Sequence, residues 1–153
     1  MATLENFWPA DDFEQMAGEL IQTDKKFEML KDLEVRICYL MSDKEKRSNG
    51  KTVFADTEKV KRKQQTWCHY DFIITFYAPN IISLNEKQLW ILVEHELLHC
   101  GVEPDDKGGY ICSIRPHDFD DFREIIQEHG VWWSEEQAQP SLFDEEEPET
   151  EEE

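Results

Sequence analysis

No apolar run in this chain approaches the ~20 residues needed to cross a bilayer; stretches such as Leu89-Trp90-Ile91-Leu92-Val93 are far shorter. The N-terminus lacks a basic region leading into an apolar segment, so no secretory signal is expected. Four cysteines, Cys38, Cys68, Cys100 and Cys112, are present without any C-x-x-C spacing, which excludes the common zinc-finger and thiol-redox motifs. They are expected to be reduced, with Cys100 and Cys112 buried as small hydrophobes, in a cytoplasmic protein. Bases are scarce, 16 against 35 acids, for a net charge of −19. No internal repeat is evident.

What is present suits one folded domain. The chain has 153 residues, with 39% hydrophobic and 12% aromatic side chains to supply a core. Phe13, Met16, Ala17, Leu20 and Ile21 fall at helical spacing behind Asp11 and Asp12, which read as caps of an N-terminal helix. Val35 to Met41, Thr52 to Ala55 and Phe72 to Tyr77 read as strands, rich in β-branched and aromatic residues and separated by polar connections. A helix is expected from about Leu84 to Cys100, opened by a capping box in Ser83-Leu84-Asn85-Glu86 and closed by Gly101. The order of elements predicts an α+β domain over residues 1–134, its helices packed on a small, largely antiparallel sheet.

That central helix carries His95-Glu96-Leu97-Leu98-His99. A helix repeats every 3.6 residues, so the two imidazoles project from one face, with a carboxylate beside them. Neutral imidazole binds Zn²⁺ at about 2.0–2.1 Å, and a catalytic site keeps a position open for water, whose proton a nearby carboxylate can take. The five-letter pattern alone is weak, since buried histidines bonded to the backbone would satisfy it equally. The apolar flank and the absence of charge between the histidines strengthen it.

Two histidines and a water leave a tetrahedral zinc one ligand short. His117 is the leading candidate, 18 residues beyond His99, after a loop carrying Asp105-Asp106-Lys107-Gly108-Gly109 and a strand-like stretch from Tyr110 to Ile114. It opens a second amphipathic helix, with Phe119, Phe122, Ile125 and Ile126 at helical spacing and Gly130 at its end. Its rivals are Glu103, Asp118, Asp121, His129 and His69, and Cys100 or Cys112 would be an unexpected ligand.

The stretch Tyr70-Asp71-Phe72-Ile73-Ile74-Thr75-Phe76-Tyr77-Ala78-Pro79-Asn80, the His95 to His99 helix, and His117-Asp118-Phe119-Asp120-Asp121-Phe122 followed by Gly130 and Trp132 together resemble the putative phage metallopeptidase family, a small zincin related in style to SprT-like proteases. The resemblance runs from about the first helix to Trp133. It implies a zinc peptidase fold with His95, His99 and His117 as ligands and Glu96 as general base. It also implies a sheet edge strand lying along the cleft, able to align an extended peptide substrate. If phage-encoded, the protein would work in the cytoplasm of a host.

The expected reaction is hydrolysis of a peptide bond by a zinc-activated water, with Glu96 taking a proton and passing it to the leaving amine. Tyr110, Arg115 and His129 lie in the right part of the chain to stabilise the oxyanion, and Asp118 to orient a ligand histidine.

Charge is arranged in blocks. Residues 135–153 hold ten acids and no bases, and a segment so polar and like-charged is expected to be a disordered tail. Within it Gln139, Leu142 and Phe143 resemble the short peptide that docks bacterial proteins on the replication sliding clamp. Residues 44–63 carry eight bases (Lys44, Lys46, Arg47, Lys51, Lys59, Lys61, Arg62, Lys63) against three acids. Such a segment can meet phosphate, though a solvated face balancing the acidic surface is the commoner use, and direct nucleic-acid contact is expected nowhere else. An alternative of another class is an acidic DNA mimic or adaptor with a structural metal, acting by binding alone.

Overall fold

The computed structural model describes residues 4–117 together with Ile125 and His129. Contacts divide the chain into two units, residues 1–116 and 117–153. In the first, four strands form a sheet of order β1-β2-β6-β5, from β1 (Phe7–Pro9), β2 (Ile37–Ser42), β5 (Ala55–Lys59) and β6 (Phe72–Tyr77). Strands β3 (Arg47–Ser48) and β4 (Lys51–Thr52) pair with each other, as do β7 (Cys100–Pro104) and β8 (Tyr110–Ile114). Among the described strands only β2 and β6 run parallel; the other pairings are antiparallel, so the domain is α+β with a largely antiparallel sheet.

Alternation along β6 sets the layers. Phe72, Ile74 and Phe76 are fully buried on one face, and Phe76 stacks on Phe13 of helix α1 (Asp11–Thr23), ring centroids 4.1 Å apart. The face with Ile74 is therefore the one the helices cover. Two short helices, α2 (Glu28–Asp32) and α3 (Ala78–Ile81), make connections. Helix α4 (Glu86–Leu98) has nine of its 13 residues buried. It is sheltered on most sides, so His95 sits inside the domain, while His99 at the helix end is half-buried. Behind them Glu94, also buried, pairs with Lys26 Nζ at 2.9 Å and ties α4 to the turn after α1.

Several local expectations shift. The capping box of α4 uses Asn85 and Gln88, two residues later than predicted, because the Ser83 hydroxyl already donates to the Asn80 carbonyl that ends α3. Helix α1 is preceded by Ala10, which makes no side-chain cap; Asp11 and Asp12 lie inside its first turn, where their charge favours the helix dipole. The predicted strand Thr52 to Ala55 is two strands, broken at Val53 and Phe54. Gly101 does not end the helix. It lies in β7, where an added Cβ would fall 2.7 Å from Ser113 Oγ and 3.1 Å from its carbonyl oxygen, so glycine lets the hairpin strands close.

In the second unit Ile125 and His129 are helical, and Ile125 is fully buried. Phe119, Phe122, Ile126 and Gly130 of the predicted last helix, Asp118 and Asp121, Trp132, the tail 135–153 and its Gln139, Leu142 and Phe143 lie outside the described residues. Among the described residues no helix is long and apolar enough to cross a membrane.

Candidate metal centre

Helix α4 delivers His95 and Glu96 from its buried last turn, and His99 caps its C-terminus with helical backbone angles (φ −70°, ψ −21°). The one-turn spacing is thus kept: the two imidazole centroids are 5.1 Å apart with planes at 68°. The chain then turns at once into β7, and its hairpin partner β8 returns residue 115 to the same place. Arg115 N donates to the His99 carbonyl at 2.8 Å, and His99 Nδ1 lies 2.8 Å from the Arg115 carbonyl oxygen. A carbonyl only accepts, so Nδ1 carries the proton and Nε2 is left as the ligand nitrogen of His99. Fixing a ligand's tautomer through its other nitrogen is how metal sites orient imidazoles. For His99 a backbone carbonyl takes this role, which side-chain patterns do not reveal; Asp118, expected to orient a ligand histidine, lies outside the described residues.

His117 follows two residues on, at most about 7 Å of extended chain from Arg115. His95, His99 and His117 form a group that could hold a metal ion, each offering one ligand atom, all within 4.8 Å of one another. Nitrogens bound tetrahedrally at ~2.0–2.1 Å sit roughly 3.4 Å apart, so small side-chain rotations suffice. His95 is buried, His99 half-buried and His117 exposed. Three neutral imidazoles are a donor set suited to a borderline-soft divalent cation.

Glu96 is buried beside the histidines, and its Oε2 lies 4.0 Å from His95 Nε2. Its other oxygen, Oε1, accepts a 2.7 Å hydrogen bond from Thr57 Oγ1. Thr57 stands opposite Ile74 in the β5–β6 register, which puts it on the helix-facing side of the sheet. Nothing in the sequence marked this threonine, since the predicted strand stopped at Ala55.

The remaining candidates lie elsewhere. Glu103 on β7 and His69 ahead of β6 are exposed, and neither joins the histidine group; nor does His129. Cys100 is buried with its thiol toward the Glu96 carbonyl at 3.9 Å, and burial, then Glu96, pushes it well above the ordinary thiol range. Burial likewise raises Cys112 to about 11. Neither belongs to the histidine group. The Tyr110 hydroxyl donates to Asp71 at 2.6 Å, and burial, then that bond, raises it to about 12. It braces the β7–β8 hairpin against the start of β6.

Asp71 is the hub of that brace. It is buried and also accepts from Arg36 N at 2.9 Å, Arg36 Nη2 at 3.3 Å and Gln65 Nε2 at 3.0 Å. Burial alone would raise its pKa, but the Arg36 amide, the Tyr110 hydroxyl and the Arg36 guanidinium together hold it below the ordinary carboxylate range.

A family model described as putative phage metallopeptidase matches residues 5–142. No curated protein and no solved structure matches the chain.

Proposed function

Because the chain belongs to the putative phage metallopeptidase family, we propose that it is a zinc-dependent peptidase in which His95, His99 and His117 hold the metal and Glu96 is the general base. The observation that carries this reading is the convergence of three imidazoles within 4.8 Å beside a buried carboxylate. A divalent cation there supplies Lewis acidity, polarising an amide carbonyl and making water acidic near neutral pH.

The chain's own residues do the rest. The Arg115 carbonyl holds His99 in the tautomer that offers Nε2. Thr57 engages Glu96 Oε1, which leaves Oε2 on the histidine side to accept a proton from water and return it to the departing amine. Among the described strands, β5, which bears Thr57, pairs in the sheet with β6 and is one of its two edges. An extended peptide lying along that edge would pass Glu96 with its amides held in register.

The test is proteolysis of an unfolded, fluorescently labelled protein by the purified chain. Cleavage should stop on chelation and return with zinc. Cleavage that survives complete metal removal would refute the reading. A non-catalytic DNA mimic has no specific support in the described residues.

A further inference from the structure

The segment from Lys59 to Tyr70 holds cations and aromatic rings out in solvent on an ordered frame. Lys59, Lys61, Arg62 and Lys63 are all exposed, and among the described residues no ion pair engages them. Trp67 is 71% exposed and Tyr70 42%. The frame itself is closed. Val60 is buried, and its N–H donates to the Asp71 carbonyl at 2.9 Å, joining the two ends of the loop. A 3-10 turn at Gln64–Thr66 forms its tip, and Trp67 N and Cys68 N both bond to the Gln64 carbonyl, at 3.1 and 2.9 Å. Gln65 Nε2 reaches back to the Tyr70 carbonyl at 3.3 Å and to Asp71.

A run of charge alone is usually a solvated face, and a lone surface aromatic is ordinary. Here both features occupy one hydrogen-bonded loop, whose order is already in place before any partner arrives. The ligand chemistry that satisfies both is a flexible polyanion bearing flat apolar faces. Phosphodiesters meet the cations, and unpaired bases stack on indole and phenol rings. A duplex keeps its bases stacked on each other and offers the rings nothing. The chain's own residues 135–153, ten acids with Leu142 and Phe143 among them, are the competing occupant, and the experiment below separates them from a nucleic-acid strand.

We infer that residues 59–70 form a binding site for single-stranded nucleic acid, with Lys59, Lys61, Arg62 and Lys63 on phosphates and Trp67 and Tyr70 stacking on bases. The site is independent of the metal centre and of peptidase activity. Four phosphate contacts on a single strand give a slope of about −3 in log K against log salt.

The experiment is fluorescence anisotropy of a labelled single strand of about 20 nucleotides, long enough for one site, with the intact chain at low salt. Binding is expected with that slope. Trp67→Ala should weaken it about tenfold, and combined Lys61→Ala, Arg62→Ala and Lys63→Ala should flatten the slope to about −1. All the substituted side chains are exposed, so unchanged melting curves will show the variants folded. Failure of the strand to bind, equal affinity for a duplex, or indifference to Trp67→Ala would each overturn the inference. So would a synthetic peptide of residues 135–153 binding where the strand does not, since it would assign the cations to that segment.

Discussion

The Thr57 hydroxyl donates to Glu96 Oε1 at 2.7 Å and lies 3.2 Å from the Glu96 backbone carbonyl oxygen, so one edge-strand side chain sits against both the carboxylate and the backbone of a residue in α4. A glutamate has three side-chain torsions, and burial narrows their rotamers without by itself fixing where the carboxylate points, which a hydrogen bond can hold. Thr57 is that hold, and it couples the strand proposed to align substrate to the group proposed to move its proton.

Replacing Thr57 with valine keeps the shape and β-branching but removes the donor. We expect kcat to fall about ten- to a hundredfold, the equivalent of about 1.5–3 kcal/mol for a hydrogen bond to a charged group, with KM little changed. Thr57→Ser should recover most of the loss. Steady-state kinetics of the two variants check this; equal behaviour of valine and serine would show that packing, not the hydroxyl, matters.

Glu96→Gln preserves volume and leaves an amide oxygen for Thr57, but cannot accept a proton. Turnover should drop by about 10²–10⁴, while zinc content and melting temperature stay at wild-type values. Loss of metal or of fold in this variant would move Glu96 from the chemistry to the scaffold.

Asp71 gives a pH signature. Its folded pKa is depressed, so its stabilising effect is complete above the unfolded value of about 3.9 and is lost as pH falls through the folded one. Asp71→Asn should cost about 1.5–3 kcal/mol at neutral pH. Denaturant unfolding from pH 7 down to about 3 should show the gap to wild type closing below roughly pH 4. A gap that is constant with pH would mean that the charge of Asp71 contributes nothing.

The β7–β8 hairpin, which returns Arg115 to His99, depends on Gly101. Gly101→Ala puts a methyl against Ser113 and should destabilise by about 1–3 kcal/mol. Removing the Ser113 hydroxyl, the nearer of the two atoms at 2.7 Å, should relieve part of that cost. Unfolding of the single and double variants measures the coupling; strict additivity would contradict the contact.

The parts of the fold legible from the sequence are those where periodicity is unambiguous. Phe72 to Tyr77 and Tyr110 to Ile114 are strands over the expected residues, and the helix bearing His95 and His99 exists because its apolar run has no other use. Its ends were less legible. Ser83 and Asn85 are both competent caps, and only the fold decides that Ser83 serves α3. Strand β1 escaped notice because three exposed residues ending in proline carry no alternation. At the site, imidazoles at helical spacing announce themselves. Thr57 and the Arg115 carbonyl do not, because a hydroxyl on a polar strand and a backbone oxygen acquire meaning only from what lies opposite them.

Calorimetric titration of zinc into the metal-free chain, run side by side with His95→Ala and His117→Ala, is the most direct measurement of all. We expect one equivalent bound by wild type, with a matching rise in melting temperature. Each variant should lose more than the about ten- to hundredfold in affinity that removal of an orienting neighbour costs. Undiminished binding by His117→Ala, or no binding by the wild-type chain, would contradict a centre built on His95, His99 and His117.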